Sequence, residues 1–163
     1  MQISCRDRNK IALQSDILGA NALGIKNILC ITGDSVKAGD QQDAKAVHEF
    51  ESVRLLQQIQ AFNKGIDPTL GELSDKKTFI FSGAAADPSC RNQKSLKNRI
   101  SKKKAAGAKF LQTQMVMKKE NLIEFCEEIS NPLEIPVIAG VFLLKSYKNA
   151  CLLYTSPSPR DCT

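Results

Sequence analysis

Residues 24–34 read Gly-Ile-Lys-Asn-Ile-Leu-Cys-Ile-Thr-Gly-Asp. A glycine stands where a helix would close, a lysine follows, and then come four apolar residues, Ile28–Ile31, with no polar alternation. A strand buried on both faces has that pattern, and parallel sheets are where such strands occur. The polar Thr32-Gly33-Asp34 ends the run. The same join recurs at Gly107-Ala108-Lys109, ahead of Phe110-Leu111. Further apolar runs are Thr78–Phe81 and Pro136–Ala139, with Gln2–Cys5 as a weaker one.

Helical spacing fills the intervals. Leu13, Ile17 and Ala20 lie at i, i+4, i+7 before Gly24, and Leu55, Ile59 and Phe62 repeat the spacing before Gly65. Glycine is the expected cap at such positions. A third helix carries Leu96 and Ile100 and stops at Gly107, and a fourth runs from about Asn121 to Ile129, before Pro132. Strand–helix–strand repetition predicts an α/β fold with a parallel sheet and right-handed crossovers. An open doubly wound sheet and a closed barrel both satisfy it. No GxGxxG follows the first strand and no GxxxxGK[ST] occurs, so the two best-known phosphate loops of open sheets are missing. That favours the barrel.

Composition sets the class. The chain has 163 residues, 42% hydrophobic and 25% charged, which is ordinary for one globular unit able to bury a core. No stretch approaches the roughly 18 apolar residues of a membrane helix, and no signal peptide opens the sequence, so the cytoplasm is the expected compartment. Cys5, Cys30, Cys90 and Cys126 are scattered without a CxxC pair and are expected as reduced, packed thiols. With His48 as the only histidine, a His-based triad or metal site is not expected. Much of the net charge of +6 sits in Lys94, Lys97, Arg99, Lys102, Lys103 and Lys104. Such a run suits a solvated helix face, a contact for ligand phosphates or a nucleic-acid surface. Nucleic-acid surfaces usually add aromatic stacking groups, and this run has none before Phe110.

In a barrel the ligand meets the ends of the strands. Those ends are Arg6-Asp7-Arg8-Asn9, Thr32-Gly33-Asp34, Gly83-Ala84-Ala85-Ala86-Asp87-Pro88 and Gln112-Thr113-Gln114. Gly33 would let the backbone approach a flat ligand and Asp34 would present a carboxylate. The small residues Gly83–Ala86 would leave room for a large cofactor, and Gln114 offers both a donor and an acceptor. Each could equally cap a helix or make a turn; four in register point to a site.

The same segments carry a resemblance. SCRDRNKIALQSDILGANALGIKNILCITGDSVKAGD (4–40), AKAVHEFESV (44–53), SGAAADP (82–88), AGAKFLQTQ (106–114) and IPVIAGVFLLKSYKNA (135–150) together resemble the methylenetetrahydrofolate reductase family. The resemblance covers 1–150 and implies a flavoenzyme on a (β/α)8 TIM barrel. FAD would pass a hydride from NADH or NADPH to 5,10-methylenetetrahydrofolate, giving 5-methyltetrahydrofolate for one-carbon metabolism and methionine supply. It implies catalytic roles for Asp34, beside flavin and pterin, and for Gln114, which also contacts the folate. It implies cofactor contacts for Thr32, Gly33, Asp34, His48, Ala86, Asp87, Lys102 and Lys103, and a folate contact for Asn149. It leaves a homo-oligomeric parent open, and gives no role to nucleic acid, membrane or metal.

The resemblance has limits. Asp87 stands where asparagine or histidine is common, and Leu96 and Arg99 stand where some members have polar FAD contacts. The family's catalytic glutamate lies on the first barrel strand, whereas this chain begins at about the third. The expectation is a partial barrel, about strands 3 to 7 over residues 1–150, inactive by itself. The last 13 residues, CLLYTSPSPRDCT (151–163), read as a non-native, disordered tail resembling translated sequencing adapter.

Overall fold

The computed structural model describes residues 1–73, 77–148, 150 and 151. In chain order the elements are β1 (Gln2–Ser4), α1 (Lys10–Ala22), β2 (Asn27–Ile31), a 3-10 turn (Val36–Ala38), α2 (Ser52–Asn63), β3 (Ile66–Asp67), β4 (Gly71–Glu72), β5 (Phe81–Ala86), α3 (Gln93–Ala105), β6 (Phe110–Met115), α4 (Lys119–Phe125), a π turn (Cys126–Ser130) and β7 (Val137–Gly140). Five strands form one sheet in the order β1-β2-β5-β6-β7, all pairs parallel. β3 and β4 form a separate antiparallel hairpin.

The strand order decides between the two candidate architectures. A doubly wound sheet reverses direction at a switch point; here each strand lies beside its predecessor in the sheet. With right-handed crossovers, that order puts every helix on one face, and the core agrees. Ile3, Cys5, Ile28, Cys30, Ala84, Ala86 and Leu111 share one buried cluster with Leu13 and Ile17 of α1, Leu55, Ile59 and Phe62 of α2, Leu96 and Ile100 of α3, and Phe125 of α4. The alternate strand residues face the other way. There Phe81 is 48% and Ile138 54% exposed, and Phe81 stacks on Phe110 with ring centroids 5.6 Å apart. This is a partial β/α barrel: the helix-covered side is the packed layer, and the opposite side is the one a closed barrel turns inward.

Gly83 shows how tightly the inward side is built. A Cβ there would run into the Phe110 ring, so only glycine lets the aromatic ring lie across β5.

Two sequence boundaries shift. Of the apolar run Thr78–Phe81, only Phe81 joins the strand; Thr78–Ile80 precede it, because Asn63 at the end of α2 occupies the backbone of Ile80. Asn63 Oδ1 accepts the Ile80 N–H at 3.0 Å and Nδ2 donates to the Ile80 carbonyl at 2.8 Å. The ladder starts at Phe81 and takes in Gly83–Ala86, residues expected to form a strand ending. Their small side chains have little strand preference of their own, but both edges of β5 are paired. Similarly, Gln112–Gln114 lie within β6 instead of beyond it.

The hairpin was not foreseen. Its turn is closed by Asp67, whose Oδ1 accepts the Thr69 and Leu70 N–H groups at 2.7 and 3.1 Å. The tip reaches the start of α1, where Lys10 Nζ donates to Thr69 Oγ1 at 2.5 Å. Asn9 caps α1 through the Ala12 N–H at 2.9 Å, and Asn92 caps α3 through the Ser95 N–H at 2.9 Å. Both contacts are standard N-terminal caps. Among the described residues, no helix is long and apolar enough to cross a membrane, and no group of three or more His, Cys, Asp or Glu side chains could hold a metal ion.

Candidate functional site

Parallel strands end together, so residues at or just beyond the carboxyl ends of β1, β2, β5 and β6 converge. They surround a cleft of about 230 Å³ lined by Ser4, Arg6, Thr32, Gly33, Asp34, Ser52, Ala85, Lys103 and Gln114, with Cys30 and Ile31 at its base. Five of the residues singled out from sequence meet here: Thr32, Gly33, Asp34, Lys103 and Gln114.

Each is positioned by a local device. Gly33 has φ of +91°, and a Cβ on it would collide with Ser4 Oγ and stand 2.7 Å from Arg6 Cβ. Glycine is therefore required so that the loop after β2 can lie against β1, a reason independent of any ligand. Thr32 also serves α2: its Oγ1 accepts the Ser52 N–H and donates to Ser52 Oγ, both at 3.3 Å. That brings the amino end of α2, the positive end of its dipole, to the wall of the cleft.

Gln114 owes its direction to a bulge. Leu111 and Gln112 pair with Val137 and Ile138, but the next partner of Gly140 is Met115, so β6 carries an extra residue. Thr113 stabilises the irregularity: its Oγ1 accepts the Gly140 N–H at 2.8 Å and donates to the Gln114 carbonyl at 2.7 Å. Bulges commonly re-aim a side chain beside a site. Neither the Gln114 amide nor the Asp34 carboxylate makes a hydrogen bond or ion pair with protein among the described residues.

Lys103 arrives from the helix side. It is 6% exposed, and its Nζ donates to the Ala85 carbonyl at 2.8 Å. Its neighbours in the basic run behave differently. Lys94, Lys97 and Lys102 are exposed, while Lys104 Nζ donates to the Leu133 carbonyl. The run is thus mainly a solvated face with one lysine turned inward.

The other predicted site residues lie outside the cleft. Ala86 faces the helices within the core cluster; its neighbour Ala85 faces the cleft. Asp87 is buried at a turn, where its Oδ1 accepts the Ser89 N–H at 2.9 Å. Lys102 points to solvent on α3. His48 lies in an adjoining depression with Thr32, Glu49, Phe50, Glu51 and Arg54. Its φ is +44°, unusual for a residue with a side chain, and both ring nitrogens are buried without a protein partner. Asn149 lies outside the described residues.

Ser4, Arg6 and Ser52 were not singled out individually. Ser4 and Ser52 carry no sequence signal: one ends a weakly apolar strand and the other opens a helix. Arg6 was visible only as part of a polar strand ending. Its Nε and Nη2 donate to Asp7 Oδ1 and Oδ2 at 2.6 and 2.8 Å. That pairing pulls the Asp7 carboxyl below its ordinary range and raises the guanidinium further.

A polar cleft at the carboxyl ends of successive parallel strands, with unpaired hydrogen-bonding groups directed into it, defines a ligand-binding enzyme site of the β/α-barrel class. The methylenetetrahydrofolate reductase family profile matches residues 1–155, and the chain belongs to that family. The family consists of oxidoreductases acting on a reduced folate. No curated protein matches the chain.

Proposed function

We propose that this chain forms the cofactor- and folate-facing part of an FAD-dependent 5,10-methylenetetrahydrofolate reductase. The observation that carries the reading is the convergence of Asp34, Lys103 and Gln114 on one cleft.

The residues present suit a flavin nucleotide. Gln114 offers both donor and acceptor to the edge of a heterocycle. Lys103 and the amino end of α2 place positive charge where a diphosphate would be stabilised by charge-assisted hydrogen bonds, with Lys102 as an outer basic group. The partnerless nitrogens of His48 sit beside Thr32, where a cofactor reaching along the wall would supply hydrogen bonds. Ala86 and Asp87 would act indirectly, by keeping the end of β5 small and its turn closed.

When bound, FAD would supply hydride transfer between NADH or NADPH and the folate. Asp34 would favour a cationic folate centre near its carboxylate and disfavour extra negative charge on the ring beside it. Gln114 would orient folate and nicotinamide in turn, with Asn149 as a further folate contact. Asp34 is the only carboxylate lining the cleft among the described residues. In this reading a longer cytoplasmic parent supplies the proton-donating acid from another strand, and residues 151–163 take no part.

The test is flavin loading followed by stopped-flow reduction and folate turnover in the complete protein, with Asp34→Asn and Gln114→Ala variants. Retained flavin with folate reduction lowered at least about 100-fold in Asp34→Asn, the scale of one lost electrostatic group, supports the reading. A wild-type protein that binds no flavin refutes it.

A further inference from the structure

The two edges of β6 are not built alike. Against β5 its ladder is regular as far as the pair Ala86–Thr113. Against β7 it is regular only to Gln112–Ile138, and the next pair is Met115–Gly140. Thr113 and Gln114 therefore stand together against the single residue Ala139. An unbroken ladder would have put Gln114 across from Gly140. The break falls at the carboxyl end of the strand, where Gln114 lines the cleft.

Thr113 is the side chain built into that break. It is 5% exposed and does not line the cleft. Its Oγ1 accepts the Gly140 N–H at 2.8 Å and donates to the Gln114 carbonyl at 2.7 Å. One hydroxyl thus stands in for a backbone acceptor to β7 and fixes the peptide that follows Gln114. Only a group that both donates and accepts can do this, so serine could replace Thr113 and valine, of nearly the same shape, could not. Gly140 completes the fit. A Cβ there would stand 2.8 Å from the Thr113 carbonyl oxygen and 3.0 Å from that of Gln114, so a larger residue would push β7 away from the bulge.

We propose that Thr113 is the positioning residue for Gln114: its hydroxyl holds β6 and β7 in their two-against-one register and so keeps the Gln114 amide directed into the cleft. Thr113 acts through Gln114 and touches no ligand itself. The consequence for catalysis rests on the functional reading above; the register does not.

The experiment is a double-mutant cycle in the complete, flavin-loaded protein. It compares Thr113→Val, Thr113→Ser, Gln114→Ala and Thr113→Val/Gln114→Ala by kcat/KM for 5,10-methylenetetrahydrofolate. Thr113→Val should lose most of what Gln114→Ala loses, and Thr113→Ser should stay within about twofold of wild type. In the Gln114→Ala background Thr113→Val should cost no more than about twofold further, the usual scatter between independent sites. A merely structural threonine would multiply the two losses. Multiplied losses, or a Thr113→Val protein as active as wild type, overturn the proposal.

If the wild type binds no flavin, or Gln114→Ala is as active as wild type, the functional reading fails and the register is read directly. Nuclear Overhauser contacts in the isotope-labelled protein should then place Met115 across from Gly140 in wild type and Thr113→Ser. Thr113→Val should lose that contact and shift the signals of the Gln114 side-chain amide; an unchanged contact overturns the proposal. If Thr113→Val does not fold, Gly140→Ala takes its place in either arm, since its methyl meets the same two carbonyls. The same coupling and the same loss of register are expected, and their absence overturns the proposal.

Discussion

Lys103 on α3 donates a 2.8 Å hydrogen bond to the carbonyl of Ala85 on β5, a buried link between the helix layer and the strand end that lines the cleft. The cation is held on the inside of a helix whose other lysines mostly face water, so neighbouring lysines are not equivalent.

Replacing Lys103 by Met would leave the Ala85 carbonyl without this donor. A loss of about 1–3 kcal/mol is expected for an orphaned buried acceptor, together with weaker flavin retention. Lys102→Met, on the exposed face, should change stability by less than about 0.5 kcal/mol. Urea unfolding of the two variants and fluorescence titration with FAD check both expectations.

Gly83→Ala should destabilise by about 1–3 kcal/mol, the usual range for overpacking, because the new methyl meets the Phe110 ring. Phe110→Leu in the same chain should recover a large part of that loss. A double-mutant cycle measures the coupling; additive effects would show that the ring moves aside freely.

The Arg6–Asp7 pair predicts a pH dependence with a definite sign. Its hydrogen bonds to Arg6 depress the Asp7 carboxyl in the folded state. Its contribution is thus present above the unfolded carboxylate value and is lost as pH falls through the folded one. Asp7→Asn should be less stable than wild type at neutral pH, and the gap should close below pH 3.8, the ordinary aspartate value. Because the pair is at the surface, added salt should narrow the gap as well.

Burial pushes the Cys5 thiol up to about 11 and raises Cys30 still further. Thiolates are the reactive form, so at pH 8 iodoacetamide should modify the half-buried Cys126 well before either of them. Mass spectrometry of the native and urea-unfolded protein checks this order. The sign for stability is opposite to that of Asp7: the unfolded chain loses its Cys5 proton near 9.0 and the folded one near 11, so stability should fall as pH rises through that window.

Most of the layer pattern could be read from residues 24–34 and their echo at 107–111, because burial on both faces leaves an unbroken apolar run and helix ends leave glycine. The limits of β5 could not be read that way. Thr78–Ile80 has the stronger strand composition, and the distant side chains of Asn63 and Asn21 hold its backbone outside the ladder. Asp34 and Gln114 could be found because polar groups at strand ends are conspicuous. Ser4 and Ser52 could not, since they become site residues only when β1 lies beside β2 and Thr32 caps α2. The aim of Gln114 depends on a bulge that involves Thr113 and Gly140, 27 residues apart; no local pattern encodes it.

The sequential strand order has a further consequence. Each β/α unit seats on the unit before it and presents a fresh edge of the same polarity to the next. Among the described residues the sheet therefore offers two complementary docking rails, Gln2–Ser4 on one side and Val137–Gly140 on the other. Additional units of the same kind can be appended at either rail without rethreading what is already built.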